Sequence, residues 1–191
     1  MFDPAGSLVI VVSPSQRQSQ ELFRIIAEMM RRLGVEDVVD ETTLRLELRN
    51  GSRCMALPAS TATIRGLSAA SLIIVDEAAY VGDNLFTAIR PMLAVRRGRL
   101  MALSTPAGTQ GFFYEQWRRG RGWDRYHVKC WDVPRLDSAW LEEERDLMGP
   151  LLFSREYEAE FMEADDSLFS AAMIEASLDE TIEPLIFGFA A

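Results

Sequence analysis

Between residues 7 and 12 the sequence reads SLVIVV, an unbroken apolar run between Gly6 and Pro14. A strand covered on one face alternates and one buried on both does not, so this run predicts a strand inside a sheet. The period then changes. In SPSQRQSQELFRIIAEMMRRLG, Leu22, Ile26, Met29 and Leu33 recur at helical spacing, Ser15 and Gln18 stand in capping-box register, and Gly34 supplies a stop. Strand and helix make one α/β unit.

From Thr43 the period falls to two, with Leu44, Leu46 and Leu48 facing one way and Arg45, Glu47 and Arg49 the other. Asn50-Gly51 and SRCMALP follow, which predicts a β-hairpin closed by a type I′ turn. Beyond the polar loop STATIRGLSAA, residues 72 to 75 predict a second buried strand, and a helix is expected from about Asn84 to Val95 despite Pro91. RLMALST predicts a third buried strand, TQGFFYEQWRR an aromatic helix, and DRYHVKCWDV a further strand. From Ser138 to about Met162 the pattern fits one or two acidic helices broken near Gly149-Pro150. Strands alternating with helices imply an α/β fold, a mainly parallel sheet with helices on both faces.

At 191 residues, 48% hydrophobic and 26% charged, the chain suits one well-buried core. No apolar run reaches the roughly 18 to 20 residues of a membrane span, and residues 1 to 12 lack the basic start of a secretory signal, so a cytoplasmic protein with no membrane partner is expected. Cys54 and Cys130 lie far apart, and His127 is the single histidine; both thiols are expected buried and reduced, with no zinc site. The net charge of −9 is uneven: residues 138 to 191 hold 14 acids against Arg145 and Arg155, while residues 1 to 137 hold 15 acids against 18 bases. Such an acidic segment belongs away from any DNA track. Lys129 is the only lysine.

The chemistry concentrates in SLIIVDEAAYV, where a buried strand runs into Asp76 and Glu77. Burying a carboxylate costs several kcal/mol unless a cation, a hydrogen-bond network or exposure at a strand tip compensates it. Ligands of parallel α/β sheets bind beyond the carboxyl ends of the strands, where this pair falls. Nucleoside triphosphatases hold Mg²⁺ through such an aspartate and use the glutamate to orient or deprotonate water. The plainer alternative is that the two cap the next helix or pair with surface arginines. LMALS likewise ends in Ser104 and Thr105, before Pro106 and Gly108. A hydroxyl pair there could sense a γ-phosphate, or simply make a Ser/Thr turn.

LPASTATIRGLSAASLIIVDEAAYV, followed about twenty residues on by LMALSTPAGTQGFFYEQW, resembles the ATPase domain of the large terminase subunit, the DNA-packaging motor of tailed bacteriophages. GSLVIVVSPSQRQSQELFR resembles the strand and helix that follow the P-loop in that family, and the likeness runs over roughly residues 6 to 170. The resemblance implies a RecA-like, P-loop NTPase-type sheet carrying a β-hairpin. It makes Asp76 the Walker B aspartate holding Mg²⁺ via water, Glu77 the catalytic glutamate, and Ser104-Thr105 the coupling motif. Arg65 matches a recurrent position, either contacting phosphate or pairing with Asp76 or Asp83. Mg²⁺ and ATP are implied for the complete protein, with double-stranded DNA, the small terminase subunit and the portal as partners and a homo-oligomeric ring as the assembly, in the bacterial host cytoplasm.

The departures from the family pattern matter equally. A P-loop needs glycines and a lysine, and Lys129 lies downstream of the carboxylate strand, so no cofactor-binding P-loop is present. The expectation is a partial ATPase core over residues 1–137, truncated at its N-terminal P-loop unit and inactive alone. Residues 138–191 would form an acidic helical segment, with 163 to 183 a linker toward a missing nuclease domain and Ala190 near where that domain's first metal-binding aspartate would fall. Three alternatives stay open: a helicase-like ATPase fragment, a non-catalytic remnant or interaction module, and a DNA-binding module using Arg96, Arg97, Arg99, Arg118, Arg119, Arg121 and Arg125.

Overall fold

The computed structural model describes residues 6–60, 64, 66–162 and 177. Arg65, the linker at 163 to 183 apart from Ser177, and Ala190 lie outside the described residues. In chain order the strands are β1 (Leu8–Ser13), β2 (Val38–Glu41), β3 (Arg45–Leu48), β4 (Arg53–Pro58), β5 (Leu72–Val75) and β6 (Arg99–Ala102). They form one sheet in the order β2-β3-β4-β1-β5-β6. β1 runs parallel to both β4 and β5, β5 runs parallel to β6, and β2, β3 and β4 pair antiparallel.

The helices are α1 (Gln16–Arg32), α2 (Asp83–Ala94), α3 (Gly111–Arg118), α4 (Ser138–Met148) and α5 (Pro150–Glu156). Because β1 sits between two parallel neighbours, its alternate side chains enter opposite cores. Ile10 and Val12 join Ile73, Val75, Leu85, Ile89 and Phe112 beneath α2 and α3. Val11 packs with Phe23 of α1, Leu46 and Ala56 on the other face. The sheet is therefore covered on both sides.

Several elements differ from their sequence expectation. α1 is capped by Ser15, whose Oγ accepts from the Gln18 amide at 3.3 Å, yet its buried residues are Ser19, Phe23 and Ala27. Met29 and Leu33 are 59% and 78% exposed, because the helix turns them past the sheet. The hairpin closes differently too. Gly51 donates to the Leu48 carbonyl at 2.8 Å and alone takes a positive φ of 77°, while Asn50 does not. That is a type I turn followed by a left-handed glycine, with the Asn50 side chain accepting from the Ser52 amide at 2.9 Å.

β6, expected to be buried on both faces, forms the sheet edge among the described residues, with Met101 47% and Leu103 46% exposed. The strand expected at 124 to 133 is instead irregular chain ending in a single 3₁₀ turn, Cys130–Asp132. Its alternation reflects no sheet neighbour: Tyr126 and Val128 face solvent, and the Cys130 amide donates to the Tyr157 carbonyl at 2.8 Å. Cys130, Leu141 and Phe153 form a third apolar cluster joined by Leu136, Met148 and Tyr157. Cys54 is half-buried rather than buried, and desolvation pushes its thiol up to about 11; burial raises the Cys130 thiol as well, so neither is shifted toward the thiolate.

Candidate functional site

Four parallel strands end on one side of the sheet, at Ser13, Pro58, Val75 and Ala102. Their pairing continues past the strand ends. The Asp76 amide donates to the Val12 carbonyl at 2.8 Å and the Leu103 amide to the Val75 carbonyl at 2.9 Å, so the two candidate tips stay side by side.

At Glu77 the chain turns sharply. Its backbone is left-handed (φ 50°, ψ 46°), a conformation that costs a residue with a Cβ about 1–2 kcal/mol. The turn lets the Ala78 amide reach the Leu103 carbonyl at 2.9 Å and starts a 3₁₀ turn, Ala78–Tyr80. Strain of this kind, held in place by flanking hydrogen bonds, is a mark of functional sites. The Glu77 carboxylate accepts a hydrogen bond from Ser104 Oγ at 3.3 Å across 27 residues of sequence.

Glu77 and Thr105 share an open cleft of ≈ 370 Å³ with Pro14, Gln18, Tyr80 and Glu156. The structure thus brings Glu77, Ser104 and Thr105 together. Asp76, half-buried beside Glu77, does not line this cleft, and Arg65 is outside the described residues. Four cleft residues escaped sequence reasoning. Gln18 and Pro14 carried the faint signal of a first helical turn after a buried strand, and Tyr80 sits three residues past the glutamate. Glu156 carried none, because α5 reaches the cleft only through tertiary packing.

The segment leaving Thr105 is fastened at its far end. Asp83 Oδ1 accepts from the Phe112 amide at 2.6 Å, and Phe86 stacks on Phe112 with centroids 4.9 Å apart. Asp83 is thereby engaged by the first turn of α3 rather than shown to pair with an arginine. The far side of α3 receives Phe161, which packs 5.9 Å from Phe113, 5.2 Å from Tyr114 and 6.1 Å from Trp117. The return chain is pinned further by a Lys129–Glu160 ion pair at 2.7 Å, which holds the lysine ammonium above its usual range. Hydrogen bonds from Ser154 and Trp131 hold the Glu158 carboxyl below its own.

Arg96, Arg97 and Arg99 lie around the start of β6, at the end of the sheet opposite the carboxylates. Arg125 is committed to the end of α3, donating to the Gln116 carbonyl at 2.8 Å, and Arg118 bonds Tyr114 Oη at 2.6 Å. Among the described residues no helix is long and apolar enough to cross a membrane.

Comparison with known proteins bears on the family and the fold. The large terminase subunit of Thermus phage G20c is 28% identical over 207 residues, covering 89% of this chain and 43% of that protein. The Escherichia phage T5 large subunit is 28% identical over 170 residues, covering 84% and 39%. The chain therefore spans about two fifths of the length of the curated relatives it matches. Among solved structures, the ATPase domain of the Thermus phage P74-26 large terminase superposes with a TM-score of 0.67 at 27% identity, covering 83% of this chain and 78% of that one. The large terminase of another thermophilic bacteriophage, solved in complex with ADP, gives 0.69 at 14% identity, covering 84% and 41%, a likeness of fold. The sheet is accordingly of the RecA-like, P-loop NTPase type. With a model described as "Terminase large subunit, T4likevirus-type, N-terminal" matching residues 3–176, the chain belongs to the terminase large subunit family.

Proposed function

We propose that these residues form part of the ATP-hydrolysing motor of a phage terminase, which drives double-stranded DNA into proheads. Glu77 would orient and deprotonate the attacking water, Asp76 would hold Mg²⁺, and Ser104 and Thr105 would register the γ-phosphate. The observation that carries the reading is the Glu77 geometry: a strained left-handed glutamate at the tip of β5, held by a hydroxyl from the tip of β6 above a shared cleft. The ATPase domain of the P74-26 relative supports it. Double-stranded DNA, the small terminase subunit and the portal are the partners that accompany this function, and a homo-oligomeric ring its assembly.

The donor set suits Mg²⁺. Among the described residues no group of three or more His, Cys, Asp or Glu side chains could cage a metal. Mg²⁺ needs no such cage, since it retains several waters and takes one or two carboxylates together with substrate phosphate oxygens. Asp76 offers the hard oxygen donor, and bound Mg²⁺ would neutralise charge on the phosphates. In the full-length protein, Asp76→Asn is expected to raise the Mg²⁺ concentration for half-maximal ATP turnover about tenfold. An unchanged magnesium titration would remove Asp76 from this role.

Ser104 and Thr105 lead to α3, whose first turn is clamped by Asp83 and whose aromatic face holds Phe161. A shift at the hydroxyls on loss of the γ-phosphate would pass along that packed segment toward the residues beyond 162. These 191 residues include no glycine-rich loop closing on lysine, and Lys129 is paired with Glu160 away from the cleft. A chain without such a loop lacks the backbone cradle and the cation that would hold the β and γ phosphates. The isolated 191-residue chain is expected to show no magnesium-dependent ATP turnover in a phosphate-release assay; turnover abolished by Glu77→Gln would contradict this.

A further inference from the structure

The cleft presents an electrostatic problem. Its lining residues include two acids, Glu77 and Glu156, beside Thr105 and Gln18, and no lysine or arginine joins them among the described residues. A triphosphate entering such a space meets two like charges, and unscreened repulsion at a few ångströms is strong. Glu77 has a role in the chemistry; Glu156 has none. Yet Glu156 is not bare. Its Oε1 lies 3.0 Å from Arg155 Nε, with the two side chains 32% and 41% exposed.

Adjacent residues on a helix do not face one another. This pair forms because the Arg155 side chain folds back onto the carboxylate of its neighbour, the last residue of α5. α5 is itself firmly placed. Phe153, 1% exposed, anchors it in the cluster with Cys130 and Leu141, and the Tyr157 amide donates to the Phe153 carbonyl at 2.8 Å. The guanidinium is thus held by the carboxylate of a residue that lines the cleft.

We propose that Arg155 is a nucleotide-binding residue acting in cis: when the triphosphate arrives, Arg155 exchanges the Glu156 carboxylate for a phosphate oxygen. The inference rests on the cleft being the nucleotide site. The exchange is favourable because guanidinium binds phosphate through a planar fork that a lysine cannot reproduce, and because the anion repels Glu156 as it attracts Arg155. The ion pair is a surface one and adds little to folding, so variants at either position should fold.

The test is a double-mutant cycle in the full-length protein, read as equilibrium binding of a slowly hydrolysed ATP analogue at fixed salt. Arg155→Ala should weaken binding tenfold or more, with Arg155→Lys restoring only part of it. Glu156→Gln should tighten binding at least threefold, by more in the native background than alongside Arg155→Ala, since only a present arginine can be released. Binding of Arg155→Ala within twofold of the native protein, or equal tightening in both backgrounds, overturns the exchange. Turnover by Glu77→Gln separates the two failures. Retained hydrolysis would discard the nucleotide site and this inference with it, whereas lost hydrolysis with an additive cycle would discard the exchange alone.

Discussion

In the full-length protein, Glu77→Gln should lower kcat for ATP hydrolysis by about 10²–10⁴-fold, the range that a positioned general base contributes. Nucleotide affinity should stay within about threefold. The separation follows from the geometry. Glutamine keeps the size of glutamate, retains an oxygen to accept from Ser104 Oγ, and asks nothing new of the left-handed backbone at this position. What it loses is the ability to take a proton from water. Steady-state kinetics together with nucleotide titration would measure both sides, and a variant that lost binding as severely as turnover would point to a collapsed strand tip rather than a missing base.

The parallel core was legible because burial on both faces leaves a local trace. SLVIVV and LIIV could hardly be half-exposed strands, and β1 and β5 are paired neighbours with Ile10, Val12, Ile73 and Val75 in one core. Since parallel strands end together, placing Asp76-Glu77 and Ser104-Thr105 at strand ends also predicted their proximity, which the Ser104–Glu77 hydrogen bond displays. What depended on partners was harder to read. β2 escaped notice because its four residues are mostly exposed, leaving no hydrophobic period. Residues 124 to 133 alternate without a strand beside them, so the pattern alone misled. At Asn50-Gly51 the dipeptide fits two turn types, and the positive φ at Gly51 alone decides between them. Glu156 reached the cleft through contacts made dozens of residues away, and no neighbouring residue announces that.

The placement of Glu156 leads to the second large effect, expected at Phe153. This ring is 1% exposed, stacks on Tyr157 with centroids 4.9 Å apart, lies 5.9 Å from Trp131, and shares its cluster with Leu141 and Cys130. Phe153→Ala removes a whole aromatic side chain from a small cluster, a change that costs about 3–5 kcal/mol in well-packed cores. α5 has seven residues, too few to persist as a helix without tertiary packing. The loss should therefore be local: amides of α4 and α5 should exchange quickly with solvent while those of β1 and β5, whose core does not include Phe153, keep their protection. Trp131 and Trp140 contact Phe153 and Tyr157, so their fluorescence should report the same transition at lower urea. Phe153→Leu, which refills most of the volume, should recover much of the loss. Equal deprotection of β1 and of α5 in Phe153→Ala would show instead that the two cores unfold as one, and α5 could not then release the cleft independently of the sheet.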